Sequence, residues 1–181
     1  MKWMFLDGAR VDCLSEEFKA QIFPLNKEAS SYLWNAEAYF KIFGQAFFEE
    51  AFFQDNERYS IVGKSEKEVK KWLFQRGIPF SQRVFVAIQP AIGFVLIWKM
   101  VIKFWDGLFV NDQAVWDRTL NWGLVYDHNQ VFYFGKNRLY NSDKEAEKIY
   151  EHQRIIQEIQ QQIELNQLKS VKKLFPNPYL K

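Results

Sequence analysis

Arg83-Val-Phe-Val-Ala-Ile-Gln89, Pro90-Ala-Ile-Gly93 and Phe94-Val-Leu-Ile-Trp98 open the most apolar and aromatic stretch of the chain, which runs on to Gly135. The first seven residues carry the β-branched and aromatic side chains of a strand. Pro90 and Gly93 punctuate the run, because proline cannot donate to a ladder and glycine accepts turn dihedrals. Phe94 to Trp98 is apolar on both parities, as expected of a strand buried on both faces. The period then changes. Val101, Phe104, Trp105 and Leu108 are spaced i, i+3, i+4, i+7, one face of a helix, with Lys99, Lys103 and Asp106 off the stripe.

Leu120 to Gly135 reads as a hairpin. Trp122, Leu124 and Tyr126 alternate with Asn121, Gly123 and Val125, and Val131 to Phe134 follows the turn residues Asp127-His128-Asn129-Gln130. Histidine and asparagine tolerate left-handed dihedrals better than most residues. A two-residue loop at His128-Asn129 therefore pairs Tyr126 with Val131, Leu124 with Tyr133 and Gly123 with Phe134. The pattern predicts an α+β fold: a mostly antiparallel sheet packed with helices, and a long C-terminal helix. Residues 1–141 are expected to form one α+β domain. Residues 142–175 are expected to form a helix docked on it at least in its first half.

Val84 to Ile102 has about the length of a membrane span. It contains Gln89, Pro90 and Lys99, it is flanked by Arg83 and Lys103, and the mean hydropathy of the chain is −0.33. A buried sheet is the expected reading, with no membrane partner.

The chain has 181 residues, the length of one domain with room for an appendage. With 48% hydrophobic and 18% aromatic residues, it holds enough bulk for a core that needs no metal or disulfide staple. No cofactor is expected. The single Cys13 cannot form an internal disulfide, which fits a reducing compartment. The apolar run Trp3 to Leu6 stops at Asp7, too short for a secretory signal, so a cytoplasmic protein is expected. A net charge of +2 does not point to nucleic acid. The lysines at 64, 67, 70 and 71, and those at 169, 172 and 173, read as solvated faces, and no nucleic-acid partner is expected.

Along the rest of the chain, Lys2 to Asp12 suggests a hairpin around Asp7-Gly8. Ser15 caps a short helix carrying Phe18, Gln21 and Ile22 and ended by Pro24, and Asn26 caps the next. From Tyr32 to Phe53 the pattern is helical with a wide apolar face, either core or a ligand groove lined by Phe40, Phe43 and Phe47. Asp55 to Gly63 reads as a polar connection. Ser65-Glu-Lys-Glu68 is a capping box. Val69, Trp72, Leu73 and Arg76 continue one helical face until Gly77 and Pro79 end it.

Ser142-Asp-Lys-Glu145 is a second capping box, opening a long helix with Ile149, Ile156 and Ile163 at seven-residue spacing and Ile159 between them. A break or rotation is expected near Asn166. Such a seam suits docking along the domain or pairing with another helix. The part beyond Ile159 is expected to project and contact a second chain, giving a protein partner or a homo-oligomer through the C-terminal helix.

No elbow, phosphate loop or dinucleotide motif is present, and the histidines His128 and His152 belong to no H-x-x-x-H pair, so no metal site and no catalytic residue is assigned. The candidate binding residues cluster in the central stretch. His128 beside Asp127 has the makings of an oriented base, or is a turn residue chosen for its dihedrals. Trp105-Asp106 and Trp116-Asp117 add two carboxylates, each beside an aromatic ring. Asp112 reads as a cap for the turn leading through Ala114 and Val115.

Trp98-Lys99, Phe104-Trp105-Asp106, Trp122-Gly-Leu-Val-Tyr-Asp-His128 and Phe132-Tyr-Phe-Gly135 together resemble the C-terminal half of small bacterial α+β proteins. They are also similar to immunity proteins of bacterial toxin systems, which often close a small α+β domain with a Trp/Tyr/His hairpin and a Phe-x-Phe-Gly. The resemblance covers about a third of the chain and departs from the pattern at Asn129, where an acidic residue often stands. It implies a binding protein and carries no catalytic residue across. The expected function is therefore a non-enzymatic protein-binding module. The alternative is a small enzyme or ligand-binding protein using Asp and His groups near the central hairpin.

Overall fold

The computed structural model describes residues 14–39, 52–109, 112–139 and 142–174. Among these the chain divides into two compact units, Met1–Tyr140 and Asn141–Lys181. The first unit is built on one seven-stranded sheet in which every neighbouring pair is antiparallel. In chain order the strands are β1 Ile22–Pro24, β2 Phe53–Ser60, β3 Arg83–Gln89, β4 Ile92–Ile97, β5 Gln113–Trp116, β6 Trp122–Asp127 and β7 Val131–Arg138. Their order across the sheet is β1-β4-β3-β5-β6-β7-β2. Among the described residues, five helices belong to this unit: α1 Glu16–Lys19, α2 Lys27–Tyr39, α3 Glu66–Phe74, α4 Trp98–Lys103 and α5 Trp105–Leu108. The second unit holds α6, Ser142–Leu174, which continues through Asn166 without the expected break. At about 1.5 Å per residue it spans roughly 50 Å. The fold is α+β, as the sequence pattern requires.

The central stretch forms the middle of the sheet. β3 and β4 are joined at Pro90-Ala91, with Gln89 paired to Ile92. All residues from Val84 to Ile88 and from Gly93 to Leu96 are buried. Trp98 does not extend β4; it opens α4, and with Phe94 it is buried, at 0% and 5% exposure. The helical stripe that follows is split at Phe104, whose backbone leaves helical dihedrals between α4 and α5, while Val101, Phe104, Trp105 and Leu108 all face the core.

Directly opposed residues in an antiparallel pair share a face. One such row crosses the whole sheet: Pro24, Phe94, Val86, Val115, Leu124, Phe134 and Glu57. Its face carries the main core, to which α3 contributes Val69, Trp72 and Leu73 and α4 contributes Trp98, Met100 and Val101. On the opposite face α2 packs across β3 and β4. Its N-terminus is capped by Asn26, whose Oδ1 accepts the Ala29 N–H at 2.8 Å. Gly93 allows the close approach, since a Cβ there would sit 3.3 Å from the Ser30 Cα.

Four expectations are corrected. The β6–β7 loop has three residues, not two, so Leu124 faces Phe134 and Val125 faces Tyr133. Asp127 O accepts the Gln130 N–H at 2.9 Å, Asp127 Oδ1 accepts the Asn129 N–H at 2.7 Å, and Gln130 takes a left-handed φ of 62°. A four-residue turn whose last residue is left-handed is a favoured hairpin solution, and aspartate is preferred at its first position. The residues from Asp55 to Ser60, read as a connection, lie in β2, a polar edge strand of the kind that discourages sheet-to-sheet pairing. Phe53 opens that strand instead of ending a helix. Ile22 to Pro24 is the short edge strand β1, not the end of α1. The hairpin read at Lys2 to Asp12 and the groove read at Phe40, Phe43 and Phe47 lie outside the described residues.

The core makes a specific demand at Trp98, whose ring meets Trp122 edge-on with centroids 5.7 Å apart. Trp98→Ala is expected to cost about 3–5 kcal/mol. The chemical denaturation midpoint reads this, and an unchanged midpoint contradicts the packing described.

Candidate functional site

Six residues stand out in the sequence as candidates, and the structure brings only two of them together. Asp127 and His128 lie at the tip of the β6–β7 hairpin, with His128 the first residue of the turn. The third member of their cluster is Asp112, which immediately precedes β5. Pairing of Gln113 with Tyr126 sets Asp112 beside the tip. Asp112 Oδ1 accepts the His128 backbone N–H at 2.7 Å and lies 2.9 Å from His128 Nδ1, with Oδ2 at 3.2 Å. Asp127 Oδ2 lies 4.0 Å from the same nitrogen. Asp112 thus does more than cap a turn. Its place beside His128 could have been anticipated only by aligning Gln113–Trp116 as a strand beside the hairpin.

The other candidates lie elsewhere. Asp117 follows β5 at the end opposite Asp112, five residues on, or roughly 16 Å at 3.3 Å per residue. Its Oδ1 accepts the Thr119 N–H at 2.9 Å and the Thr119 hydroxyl at 2.5 Å, so it organises the β5–β6 turn. Trp116 is fully buried and packs on Phe85 at 6.4 Å. Trp105 packs edge-on against Phe132 on the core face at 6.3 Å, and Asp106 is exposed on α5. No constellation of Trp and Asp residues forms around His128.

Electrostatics at the tip favour positive charge. The hydrogen bond that the His128 imidazole donates to Asp112, reinforced by the charges of Asp112 and Asp127, raises His128 above its ordinary value of 6.5. The imidazole side chain is 65% exposed, so solvent screens these interactions and the site is an exposed tip, not an enclosed cleft. The Asp112 and Asp127 charges also help to raise Tyr126, after burial as the main cause.

A shallow cleft of about 210 Å³ lies at the other end of the sheet, lined by Arg76, Gln82, Asp117, Asn121, Trp122 and Lys136 among others. It falls below the roughly 300–1,000 Å³ of ordinary small-molecule sites. Arg76, one of its lining residues, is held from outside the cleft by Glu57. That carboxylate accepts the Trp72 Nε1–H at 2.6 Å and pairs with the Arg76 guanidinium. The Arg76 hydrogen bond is the largest reason that Glu57 sits below its ordinary 4.5, with Trp72 contributing and burial opposing.

Sequence reasoning passed over one surface feature. Phe74 and Phe80 are 58% and 50% exposed, and their rings lie 5.7 Å apart. Lys67, Lys71 and Phe74 share a helical stripe at i, i+4, i+7, and the Lys99 N–H donates to Phe80 O at 3.1 Å, which sets Lys99 beside the pair. Lys64 and Lys70 pair with Glu68 and Glu66, whereas Lys67, Lys71 and Lys99 form no ion pair among the described residues.

No helix among the described residues is long and apolar enough to cross a membrane. No known family model matches the chain, and no curated protein or solved structure is significantly similar to it.

The His128 shift fixes a pH dependence. Because the folded-state value is raised, the stabilisation from His128 is fully present below pH 6.5 and is lost as pH rises through the raised value. Titration of the His128 imidazole by NMR is expected to give a midpoint above 6.5 that falls toward 6.5 in Asp112→Asn. A wild-type midpoint at or below 6.5 contradicts the geometry.

Proposed function

We propose that this chain is a non-enzymatic protein-binding module, immunity-like in kind and cytoplasmic, that docks an acidic protein segment on the surface formed by Phe74 and Phe80. The exposed aromatic pair, with Lys67, Lys71 and Lys99 beside it and without an ion pair among the described residues, carries the reading. Exposed aromatic anchors supply binding energy once a partner covers them. The surrounding lysines supply the sign of charge that the partner must complement, and they set the rate and register of docking. The surface is rigid where it matters. The Ser65–Glu68 capping box fixes the start of α3, and Glu57 holds its last turn through Trp72 and Arg76.

The test is affinity capture from the native cell extract after nuclease treatment, followed by reconstitution with the purified partner. The double variant Phe74→Ala, Phe80→Ala is expected to weaken binding by at least about tenfold, since two anchors that together contribute about 1.4 kcal/mol or more are removed. Raising salt is expected to slow association. A partner bound equally by wild type and double variant, or retention that vanishes with nuclease, contradicts the proposal.

The length of α6 supports a second contact, a homo-oligomer through the C-terminal helix. α6 carries Tyr150 and Leu165 at 71% and 48% exposure. Deletion of residues 160–181 is expected to lower the mass measured by light scattering while the far-UV spectrum keeps its sheet signal. A full-length protein that is already monomeric removes this second contact.

A further inference from the structure

α6 has two opposite faces. His152, Ile156 and Ile163 are buried, so the face that carries them is already covered within the single chain. Half a turn away, Glu147, Tyr150, Glu151, Arg154, Glu158 and Leu165 are spaced i, i+3, i+4, i+7, i+11, i+18, one stripe at about 3.6 residues per turn. All of them are exposed, Tyr150 to 71% and Leu165 to 48%. The face open to a second helix is therefore this outer stripe, not the seam of isoleucines.

A large exposed apolar side chain is ordinary when it stands alone. Here two share one stripe, and charge is divided between its ends. Glu147 and Glu151 flank Tyr150 in the first half. The same spacing carries the stripe on to the positions of Lys169 and Lys172, near the end of the helix. Between the two ends, Arg154 pairs with Glu158 and the charges cancel.

That division of charge sets the direction in which a second copy fits. A parallel copy places the two glutamates against their own counterparts and the two lysines against theirs. An antiparallel copy places the acidic end on the basic end, and two-fold symmetry repeats each contact. With the axis between Ile159 and Gln160, Glu147 falls opposite Lys172 of the second copy, and Glu151 falls beside its Lys169. Tyr150 then falls between its Leu165 and Lys169, one turn apart. Like charges opposed across an interface are penalised, so the charge order selects the antiparallel pair.

We propose that the outer stripe of α6 pairs antiparallel with the same stripe of a second copy of this chain, closing a two-fold dimer. Tyr150 and Leu165 supply the apolar contact, and the Glu147–Lys172 and Glu151–Lys169 pairs supply the direction. The proposal rests on the homo-oligomer read from α6 and names its face, its orientation and its symmetry. It is independent of the Phe74–Phe80 surface.

Sedimentation equilibrium of the full-length chain tests it, with far-UV circular dichroism confirming that each variant keeps its helix. The wild type is expected to form dimers that weaken as salt rises. Reversing the acidic end, with Glu147→Lys and Glu151→Lys, is expected to raise the dimer dissociation constant at least about tenfold, because symmetry turns every attraction into a repulsion twice over. Reversing the basic end, with Lys169→Glu and Lys172→Glu, is expected to do the same. All four substitutions in one chain restore opposite charges in an antiparallel pair and are expected to recover the dimer. Tyr150→Ala leaves the charges in place and is also expected to weaken it. A wild-type dimer indifferent to both reversals and to salt overturns this proposal and leaves an oligomer through another face of α6 standing. A fourfold variant as weak as the two reversals overturns the antiparallel direction. A wild type that is monomeric at every concentration overturns the pairing and the homo-oligomer together.

Discussion

The three-residue turn between β6 and β7 is the constraint on which the rest of the molecule depends. Because side chains alternate along a strand, the length of that turn decides which residues of β7 face the main core. With Asp127 opposite Val131, Phe132 and Phe134 share the face of Leu124 and Tyr126. Phe132 then becomes a hub. Its ring meets Phe109 at 4.9 Å, Tyr126 at 5.0 Å, Trp72 at 5.7 Å and Trp105 at 6.3 Å. A two-residue loop would turn Tyr133 inward and send both phenylalanines to the other face. The aromatic contacts that join α3 and α5 to the sheet would go with them. Each such ring contact contributes about 0.5–1.5 kcal/mol beyond the burial of its area, so register and helix packing are one energetic decision.

The edge of the sheet extends this logic to the surface. β2 pairs with β7, which sets Tyr59 opposite Phe132 and Glu57 opposite Phe134. Tyr59 stacks on Trp72 at 4.8 Å, and the Arg76 guanidinium lies 4.0 Å from the centroid of the Trp72 ring. Glu57 closes the arrangement by accepting from both Trp72 and Arg76. A strand that is almost wholly polar thereby fixes the last turn of α3, and so the position of Phe74 at its end. The docking surface is presented by the same contacts that hold the helix down. Gly77, with a φ of 73°, then turns the chain toward Phe80.

The elements legible in the sequence were those with a local cause. β3, β4 and α3 announce themselves through parity, a proline and a capping box, and the structure keeps each of them. What stayed hidden depended on partners far along the chain. β2 reads as a loop because its only requirement is a ladder with β7, which asks nothing apolar of Asp55 or Arg58. β1 is three residues long, and it exists because β4 offers an open edge. The hairpin was legible, but its register was not, since His128-Asn129 satisfies a two-residue loop as well as part of a three-residue one. Among the site residues, Asp127 and His128 were visible as turn neighbours. Asp112 is sixteen residues before His128 and reaches it only through the β5–β6 pairing. Trp105, Asp106, Trp116 and Asp117 looked alike as dipeptides. Their fates differ because parity sends Trp116 inward and the chain reversal claims Asp117.

The hairpin tip shows how one side chain can serve fold and chemistry at once. Asp127 Oδ1 accepts the Asn129 N–H and so helps choose the turn that sets the register. That choice buries the carboxylate and turns its second oxygen toward His128. The same turn leaves the His128 N–H free to be taken by Asp112, which draws a second carboxylate to the tip. The concentration of negative charge around one imidazole is thus a consequence of the register, not an addition to it. A proton on His128 relieves a repulsion that the backbone geometry has already imposed. Replacing Asp127 by a residue without a side-chain acceptor would therefore disturb the loop and the charge cluster together. Asparagine separates the two effects, because it keeps the acceptor that the loop needs and removes the charge that the cluster needs.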